Sequence, residues 1–394
     1  MLTGQLLVAM MCGTVQVFVL STLGPFIIKD LDLSLASFGL LTMVFFATGA
    51  VVSPRAGRWA DSLGGSRTLR IMLGASIVSL AGVAASRVLV QLVAFSVVGG
   101  IATALANPAT NKVIAEAIPP VKQGVVTGIK QSGVQVGAFV AGAGLPFIAE
   151  RIGWHWAALT IVVVPMVAIL LPSPKNRSSS SAEGGREDKS ALHPGVYTLA
   201  LYALLMGSVV AATTTYLPLF VNQELSYSPT SAGLVGAAVG LIGIGARIAW
   251  GWLASERGHF GPLLVVMAAV ALVAQMLLLV APVQQAFLAG AVLALGASTA
   301  AWNSVAMLGA LRLGGLDDAG RASGVVVLGF YLGYVISPTL FGWAVDTTSS
   351  YGPAWSGTGV VCIAAAVVGA YFVKMGWGGD VARPIVAEQA GGQT

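Results

Sequence analysis

The sequence predicts an all-α membrane protein with twelve transmembrane helices in two six-helix repeats. Its 394 residues are 56% hydrophobic and only 9% charged, whereas about a quarter of the residues of an ordinary globular protein are charged. So few charges cannot cover a water-soluble surface. The other two observations are the length of the apolar runs and their repetition along the chain.

Each apolar run is long enough to cross a membrane, which takes about 20 residues per helix. Six runs precede a polar gap and six follow it, near 5–28, 36–56, 69–86, 89–115, 122–147, 153–172, 195–221, 231–253, 261–281, 284–310, 320–345 and 354–375. The gap is rich in Ser, Pro and charge and has no apolar periodicity, so it reads as a solvated linker. We therefore expect an N-terminal bundle (1–171), a cytoplasmic linker (172–194), a C-terminal bundle (195–375) and a cytoplasmic tail (376–394).

The two halves repeat each other at a nearly constant offset. The offset is 194 positions for the early helices and 196 for the later ones. The matched pairs are Ser34 and Ser228, Ser37 and Ser231, Gly39 and Gly233, Gly57 and Gly251, Gly100 and Gly296, Asn107 and Asn303, Gly133 and Gly329, and Gly137 and Gly333. Such parallel six-helix repeats suit alternating access around a site near the middle of the membrane.

The basic residues predict the orientation of the chain. If both termini and the linker face the cytoplasm, the cytoplasmic segments hold fifteen Lys and Arg and the external loops hold three. This bias follows the positive-inside rule. It accounts for the net charge of +5 without a nucleic-acid partner and predicts a multi-pass protein of the plasma membrane, the cytoplasmic membrane in a bacterium. Cys12 and Cys362 lie in apolar runs far apart and give neither a disulfide framework nor a metal site.

The loop between the second and third spans carries a motif. It runs Gly57-Arg-Trp-Ala-Asp61-Ser-Leu-Gly64-Gly-Ser-Arg67. Here the chain resembles the major facilitator superfamily, whose signature in this loop is Gly-x-x-x-Asp-Arg/Lys-x-Gly followed by basic residues; Ser62, Gly65 and Ser66 depart from it. The resemblance implies that Gly57, Asp61, Gly64 and Arg67 act as a conformational latch. From the residues themselves, we expect Gly57 to allow a close helix approach and Asp61 to join the two halves. A role in topology and folding alone is the alternative.

Two positive charges fall inside spans. Lys130 lies in the fifth span and Arg247 in the eighth, and all fifteen acidic residues assign to loops, tails or span ends. A charge near the bilayer centre costs at least about 2.5–3.5 kcal/mol on insertion scales. Two buried cations without a buried acid suggest that the missing anion is the substrate. Alternatively, either side chain snorkels to the membrane surface, or Arg247 bonds main-chain carbonyls at a helix end.

The position of Arg247 allows a narrower comparison. Arg-x-x-x-Gly at the cytoplasmic end of the eighth span is similar to the arginine of monocarboxylate and oxalate porters, which implies a forked grip on a carboxylate. The monocarboxylate porters have an Asp one turn earlier, where this chain has Gly243. The likeness therefore concerns one residue.

Uncharged polar residues at similar depth complete the predicted substrate site. Buried amides and phenols need hydrogen-bond partners, and either substrate oxygens or neighbouring helices supply them. The candidates are Gln16, Asn107, Asn111, Gln131, Gln135, Asn303 and Tyr331.

The leading functional hypothesis is a secondary active or facilitative transporter of a small organic anion, with a carboxylate favoured. The alternative is an efflux pump for amphipathic drugs or other small molecules. A membrane sensor or enzyme is disfavoured, because the sequence shows no nucleophile–base pair and no metal-ligand cluster. We expect no cofactor, a monomer in the lipid bilayer, and coupling either to H⁺ or to anion exchange.

The orientation yields a first prediction. A single cysteine at Ser179, in a background without Cys12 and Cys362, should react with a membrane-impermeant thiol reagent only from the cytoplasmic side, because the positive-inside bias places the linker there. Labelling of intact cells against inverted vesicles measures this. Reaction from outside the intact cell would contradict the orientation.

Overall fold

The computed structural model describes residues 2–171, 192–257 and 260–377. The predicted linker, apart from its last three residues, and the tail beyond residue 377 lie outside these ranges. The described residues form α1 (Leu2–Leu31), α2 (Leu35–Leu63), α3 (Gly65–Ala85), α4 (Leu89–Ala117), α5 (Pro120–Gln131), α6 (Gly133–Ile152), α7 (Trp154–Leu170), α8 (Pro194–Gln223), α9 (Pro229–Arg257), α10 (Gly261–Val280), α11 (Phe287–Ser298), α12 (Trp302–Thr348) and α13 (Tyr351–Lys374).

These helices confirm the all-α membrane protein and its twelve apolar spans. In the described ranges, eleven spans are long and apolar enough to cross a membrane, and α7 is a shorter apolar helix. The fifth span consists of α5 and α6, which meet at Ser132. The tenth comprises α11 and α12 as far as Gly314, and the eleventh runs from Arg321 to Thr348.

The helix ends follow from local sequence signals. The Ser34 hydroxyl accepts the backbone N–H of Ser37 at 3.1 Å, and Ser228 does the same for Ser231 at 3.1 Å. Serine is favoured at such helix starts because its oxygen satisfies an N–H that has no partner within the helix. Gly64, with φ +80°, ends α2 in a conformation that side chains disfavour. The predicted repeat therefore extends to the caps.

The bundle has two distinct sides. Its linker side carries both ends of the described chain: the His193 ring contacts Trp377 with 5.6 Å between centroids, and Leu2 packs against the join of α4 and α5. Its far side carries the turns between α1 and α2 and between α12 and α13. Residues 2–171 are here called the first half and residues 192–377 the second half.

The largest buried cluster joins the two halves toward the far side. It brings Leu23 and Phe38 of the first half together with Leu217, Phe220 and Phe341 of the second. A separate cluster belongs to the second half alone, and two smaller ones belong to the first half alone. Each half thus has apolar packing of its own and a further cluster shared with the other.

The repeated glycines mark the close helix contacts. A β-carbon at Gly100 would overlap the carbonyl of Phe45, and one at Gly296 would lie 2.6 Å from the side chain of Ile242. Small residues allow such approaches between membrane helices. The expectation for Gly57 was wrong, because a β-carbon there would meet nothing within 4 Å. The close approach in this loop is at Gly65, where a β-carbon would lie 2.7 Å from the backbone N of Val113.

This contrast yields a second prediction. Gly133→Ala should destabilise the protein by roughly 1–3 kcal/mol, the usual cost of overpacking, because the new methyl group would meet the carbonyl of Leu7. Gly128→Ala, five residues earlier and with nothing within 4 Å of a β-carbon, is the matched control. Thermal unfolding in detergent compares the two. Equal midpoints for both variants would contradict the close approach.

Candidate functional site

A central cavity of about 130 Å³ lies between the two halves. Its wall is formed by side chains from α1, α6, α8, α9 and α12 and by the short segment between α11 and α12. Both halves contribute, so a solute bound here would touch each of them. Alternating access requires this arrangement.

The cavity wall is mostly apolar and aromatic. Phe18, Trp302, Phe330 and Tyr334 line it, together with hydroxyl groups from Ser and Thr. Among the described residues of this wall, Arg247 is the only one that carries a charge, and no Asp or Glu accompanies it. The site is therefore a mostly apolar cavity with one positively charged group.

Arg247 is held in place by a break in the helix opposite. Residues 299–301 separate α11 from α12, so the carbonyl of Ala300 is free to accept bonds from side chains. Arg247 Nε donates to it at 2.6 Å, and Gln135 Nε2 donates to the same oxygen at 3.3 Å. Arg247 thus bonds a main-chain carbonyl at a helix end, one of the alternatives weighed above. In the described part of the chain, its two terminal nitrogens have no hydrogen-bond acceptor.

Gly243 allows α9 to approach this break. A β-carbon at Gly243 would lie only 2.5 Å from the β-carbon of Ala300 and 3.6 Å from Gln135 Nε2. An Asp, as in the monocarboxylate porters, would require α9 and the break to move apart. The Arg247 environment therefore differs from the one implied by the likeness to those porters.

Lys130 lies in a different place and is fully hydrogen-bonded. Its side chain is 0% exposed, and Nζ donates to Asn107 Oδ1 at 3.2 Å, Thr110 Oγ1 at 2.8 Å and Asn111 Oδ1 at 2.5 Å. A lysine ammonium has three donors, so these contacts use all of them. Lys130 fastens α5 to α4 behind the cavity wall and does not line the wall.

The remaining predicted residues divide between four places. Gln135 and Asn303 line the cavity with Arg247. Asn107 and Asn111 serve Lys130, beside which Gln131 Oε1 is buried with no partner among the described residues. Gln16 bonds Ser96 at 3.3 Å and also Ser79, between α1, α3 and α4, and Tyr331 packs on Phe46 with 5.6 Å between ring centroids.

Sequence reasoning missed the aromatic side of the cavity. The Phe330 ring packs at a tilt against Trp302, with 5.7 Å between ring centroids, and edge-on against Tyr334, with 4.9 Å between centroids. The spacing of Phe330 and Tyr334, four residues apart on one helix, was an available signal because such residues share a helix face. No comparable signal marks the helix break at residues 299–301, because these residues include neither Gly nor Pro.

The loop motif on the linker side is built within the first half. Asp61 pairs with Lys112 of α4 at 3.1 Å, and the backbone N–H of Gly65 donates to Glu116 at 3.4 Å. The expectation that Asp61 joins the two halves is therefore not met in this conformation. Gly64 supplies the turn, and Arg67 is exposed.

The chain matches the family model described as Major Facilitator Superfamily over residues 6–314. Curated relatives include Multidrug resistance protein 1 of Bacillus subtilis (strain 168), 26% identical over 232 residues, which are 55% of this chain and 58% of the relative. Another is Quinolone resistance protein NorA of Staphylococcus aureus (strain MRSA252), 25% identical over 235 residues, 56% of this chain and 58% of the relative. The matched part of the chain thus spans less than two thirds of the length of these relatives.

Solved structures show the same fold. A bacterial homolog of the human lysosomal transporter Spinster, in an inward-facing and occupied conformation, superposes with a TM-score of 0.76 at 17% identity and covers 96% of this chain and 98% of its own. The D-xylose-proton symporter gives 0.77 at 17% identity, with 93% and 95% covered. At this identity the likeness concerns the fold alone.

The linker-side loop yields a third prediction. Asp61→Asn should slow transport while leaving solute affinity unchanged, because the residue lies on the linker side and lines no part of the cavity. It should change the free energy of unfolding by less than about 1 kcal/mol, since Asp61 is 74% exposed and surface ion pairs contribute little. Initial rates in proteoliposomes, equilibrium binding and thermal unfolding test the three parts, with Ser62→Ala as the control. An altered solute preference would contradict this placement.

Proposed function

The chain belongs to the major facilitator superfamily, and we propose that it is a secondary transporter that exports amphipathic aromatic compounds, preferring those with an anionic or neutral polar end. This proposal takes efflux, the alternative drawn from the sequence, as the main activity. It retains the organic-anion hypothesis only as a preference for solutes with an anionic end.

One observation carries the proposal: in the described part of the chain, a single arginine faces a cavity walled by aromatic rings, and no Asp or Glu lines that cavity. Burying an aromatic solute among Trp302, Phe330 and Tyr334 removes a large apolar surface from water. Arg247 favours solutes that bring negative charge or acceptor oxygens. A permanently cationic drug would meet an uncompensated positive charge in a region of low dielectric.

The hydrogen bond of Arg247 to Ala300 suits it to this role. With Nε fixed at 2.6 Å from the carbonyl, the guanidinium plane is oriented before the solute arrives. The two terminal nitrogens then form a fork that matches the two oxygens of a carboxylate. Less side-chain entropy is lost when a prearranged group binds. Gln135 and Asn303 add amide groups to the same wall.

Lys130 receives a different proposed role. Because its three donors are already taken, we expect it to act through its charge and by joining α4 to α5, without touching the solute. Asn107, Asn111 and Gln131 belong with it. Gln16 and Tyr331, which are hydrogen-bonded or packed elsewhere, become supporting residues in this proposal.

The relatives support efflux over uptake of small anions. Their names refer to multidrug and quinolone resistance, and the mostly apolar wall suits such compounds better than a small hydrophilic acid. Transport of a small organic anion remains a second candidate because Arg247 alone favours it. In both cases we propose that residues 1–171 and 195–375 rock against each other, with both termini cytoplasmic, and that export is coupled to H⁺ or to exchange with another anion.

This proposal yields a fourth prediction. Arg247→Gln should weaken the binding of a quinolone carboxylate by roughly 1.5–3 kcal/mol, the range for hydrogen bonds to charged groups. It should have little effect on the methyl ester of the same compound, which has lost the anionic group. Arg247→Lys should restore binding only in part, because an ammonium cannot form the fork. Calorimetry on the purified protein in detergent measures all three.

Lys130→Gln and Arg151→Gln are the controls. Arg151 lies at the far-side end of α6, away from the cavity, so its replacement should leave both affinities unchanged; Lys130→Gln should affect acid and ester alike. Equal loss of acid and ester on Arg247→Gln would assign Arg247 to structure. If an aromatic cation such as ethidium binds more tightly to the wild type than the quinolone does, the proposed selectivity is wrong.

A further inference from the structure

Two carboxylates on the far side reach from one half of the molecule to the other. Asp346, near the end of α12, accepts the backbone N–H of Leu35 at 2.9 Å with one oxygen and that of Ala36 at 2.8 Å with the other. Glu150, near the end of α6, accepts the backbone N–H of Thr230 at 3.1 Å. Each acid belongs to one half and bonds the first turn of a helix in the other half.

The two contacts are copies of one another in the internal repeat. Asp346 and Glu150 are 196 positions apart, and Ala36 and Thr230 are 194 apart, the same offsets that relate the two halves elsewhere. They differ in one respect. The position equivalent to Leu35 is Pro229, which has no N–H to donate, so Glu150 receives one bond where Asp346 receives two.

These bonds complete the first turns of α2 and α9. The first four N–H groups of a helix have no partner within it. In α2, Leu35 and Ala36 donate to Asp346, Ser37 donates to the Ser34 hydroxyl, and Phe38 donates to the Ser34 carbonyl at 3.0 Å. In α9, Thr230 donates to Glu150, and the next two residues donate to Ser228.

The contacts join the two halves at the far side. A carboxylate at a helix N-terminus gains both charge-assisted hydrogen bonds and a favourable interaction with the helix dipole. Here the acid and the helix lie on opposite halves. Separating the halves at this side therefore removes the hydrogen bonds and the dipole interaction together. Close packing lies behind them: the Tyr216 hydroxyl is 2.8 Å from the carbonyl of Leu35 and 2.7 Å from that of Pro338.

We propose that Asp346 and Glu150 are a repeated pair of latches that hold the far side shut, the Asp346 latch being the stronger. The inference concerns the conformational equilibrium and is independent of which solute is carried. Loss of a latch removes bonds from the closed state alone and therefore shifts the population toward the open one. Because Asp346 accepts two bonds and Glu150 one, loss of Asp346 should shift the population further than loss of Glu150.

The experiment measures the distance across the far side by pulsed electron paramagnetic resonance on the full chain in nanodiscs. Cys12 and Cys362, both buried, are replaced by alanine, and spin labels are placed at Val90→Cys and Val283→Cys, one in each half and 75% and 88% exposed. The parent should show mainly the short, closed distance. Asp346→Ala should raise the ratio of open to closed populations about tenfold or more, Glu150→Ala should raise it less, and the double variant should raise it most.

Asp30→Ala is the matched control. Asp30 is also a far-side carboxylate, but it accepts the indole N–H of Trp154 at 3.0 Å within the first half, so its loss should leave the distance distribution unchanged. Asp346→Asn keeps one acceptor oxygen and the size of the side chain, and should give a smaller shift in the same direction. It tests the latch even if the alanine variant does not fold. Unchanged distributions in Asp346→Asn and Glu150→Ala, or an equal shift in Asp30→Ala, would overturn the proposal.

Discussion

In the hydrocarbon core of a membrane no water is available to bond polar groups, so each of them must find a partner within the protein. The rest of this structure depends on that constraint. It explains why Lys130 is surrounded by three oxygen acceptors and why a free carbonyl at the 299–301 break is matched to Arg247. Among the described residues no acceptor meets the terminal nitrogens of Arg247, and in the proposed function the solute supplies one.

The internal repeat provides a symmetric framework, and single departures from it create the site. The glycines at close contacts recur in both halves because the same helix crossings recur. Arg247 has Ser53 as its repeat equivalent, and Lys130 has Val326. The segment equivalent to the 299–301 break is continuous helix in α4. The charge, the helix break and most of the aromatic rings of the cavity wall thus lie on the second half.

The same requirement for hydrogen-bond partners applies at the helix ends. Some backbone N–H groups at the start of a helix donate to acceptors on the other half. These groups are hydrogen-bonded in only one arrangement of the two halves. On the far side, the acceptors of this kind are the carboxylates of Asp346 and Glu150. On the linker side the described ion pair, Asp61 with Lys112, stays within the first half. In the proposed latch, these bonds favour closure of the far side.

The sequence by itself determined the twelve apolar spans, the repeat and the superfamily, because span length is set by membrane thickness and the offset is visible in the chain. It also identified Arg247, Gln135 and Asn303 as candidates, which the structure places on one cavity wall. Only the tertiary structure decided that Lys130 and Gln16 turn away from that wall, that the close approach is at Gly65 instead of Gly57, and that α11 ends at Ser298. The physical reason is that depth in the membrane follows from position along a helix, whereas the direction of a side chain depends on how each helix is rotated against its neighbours.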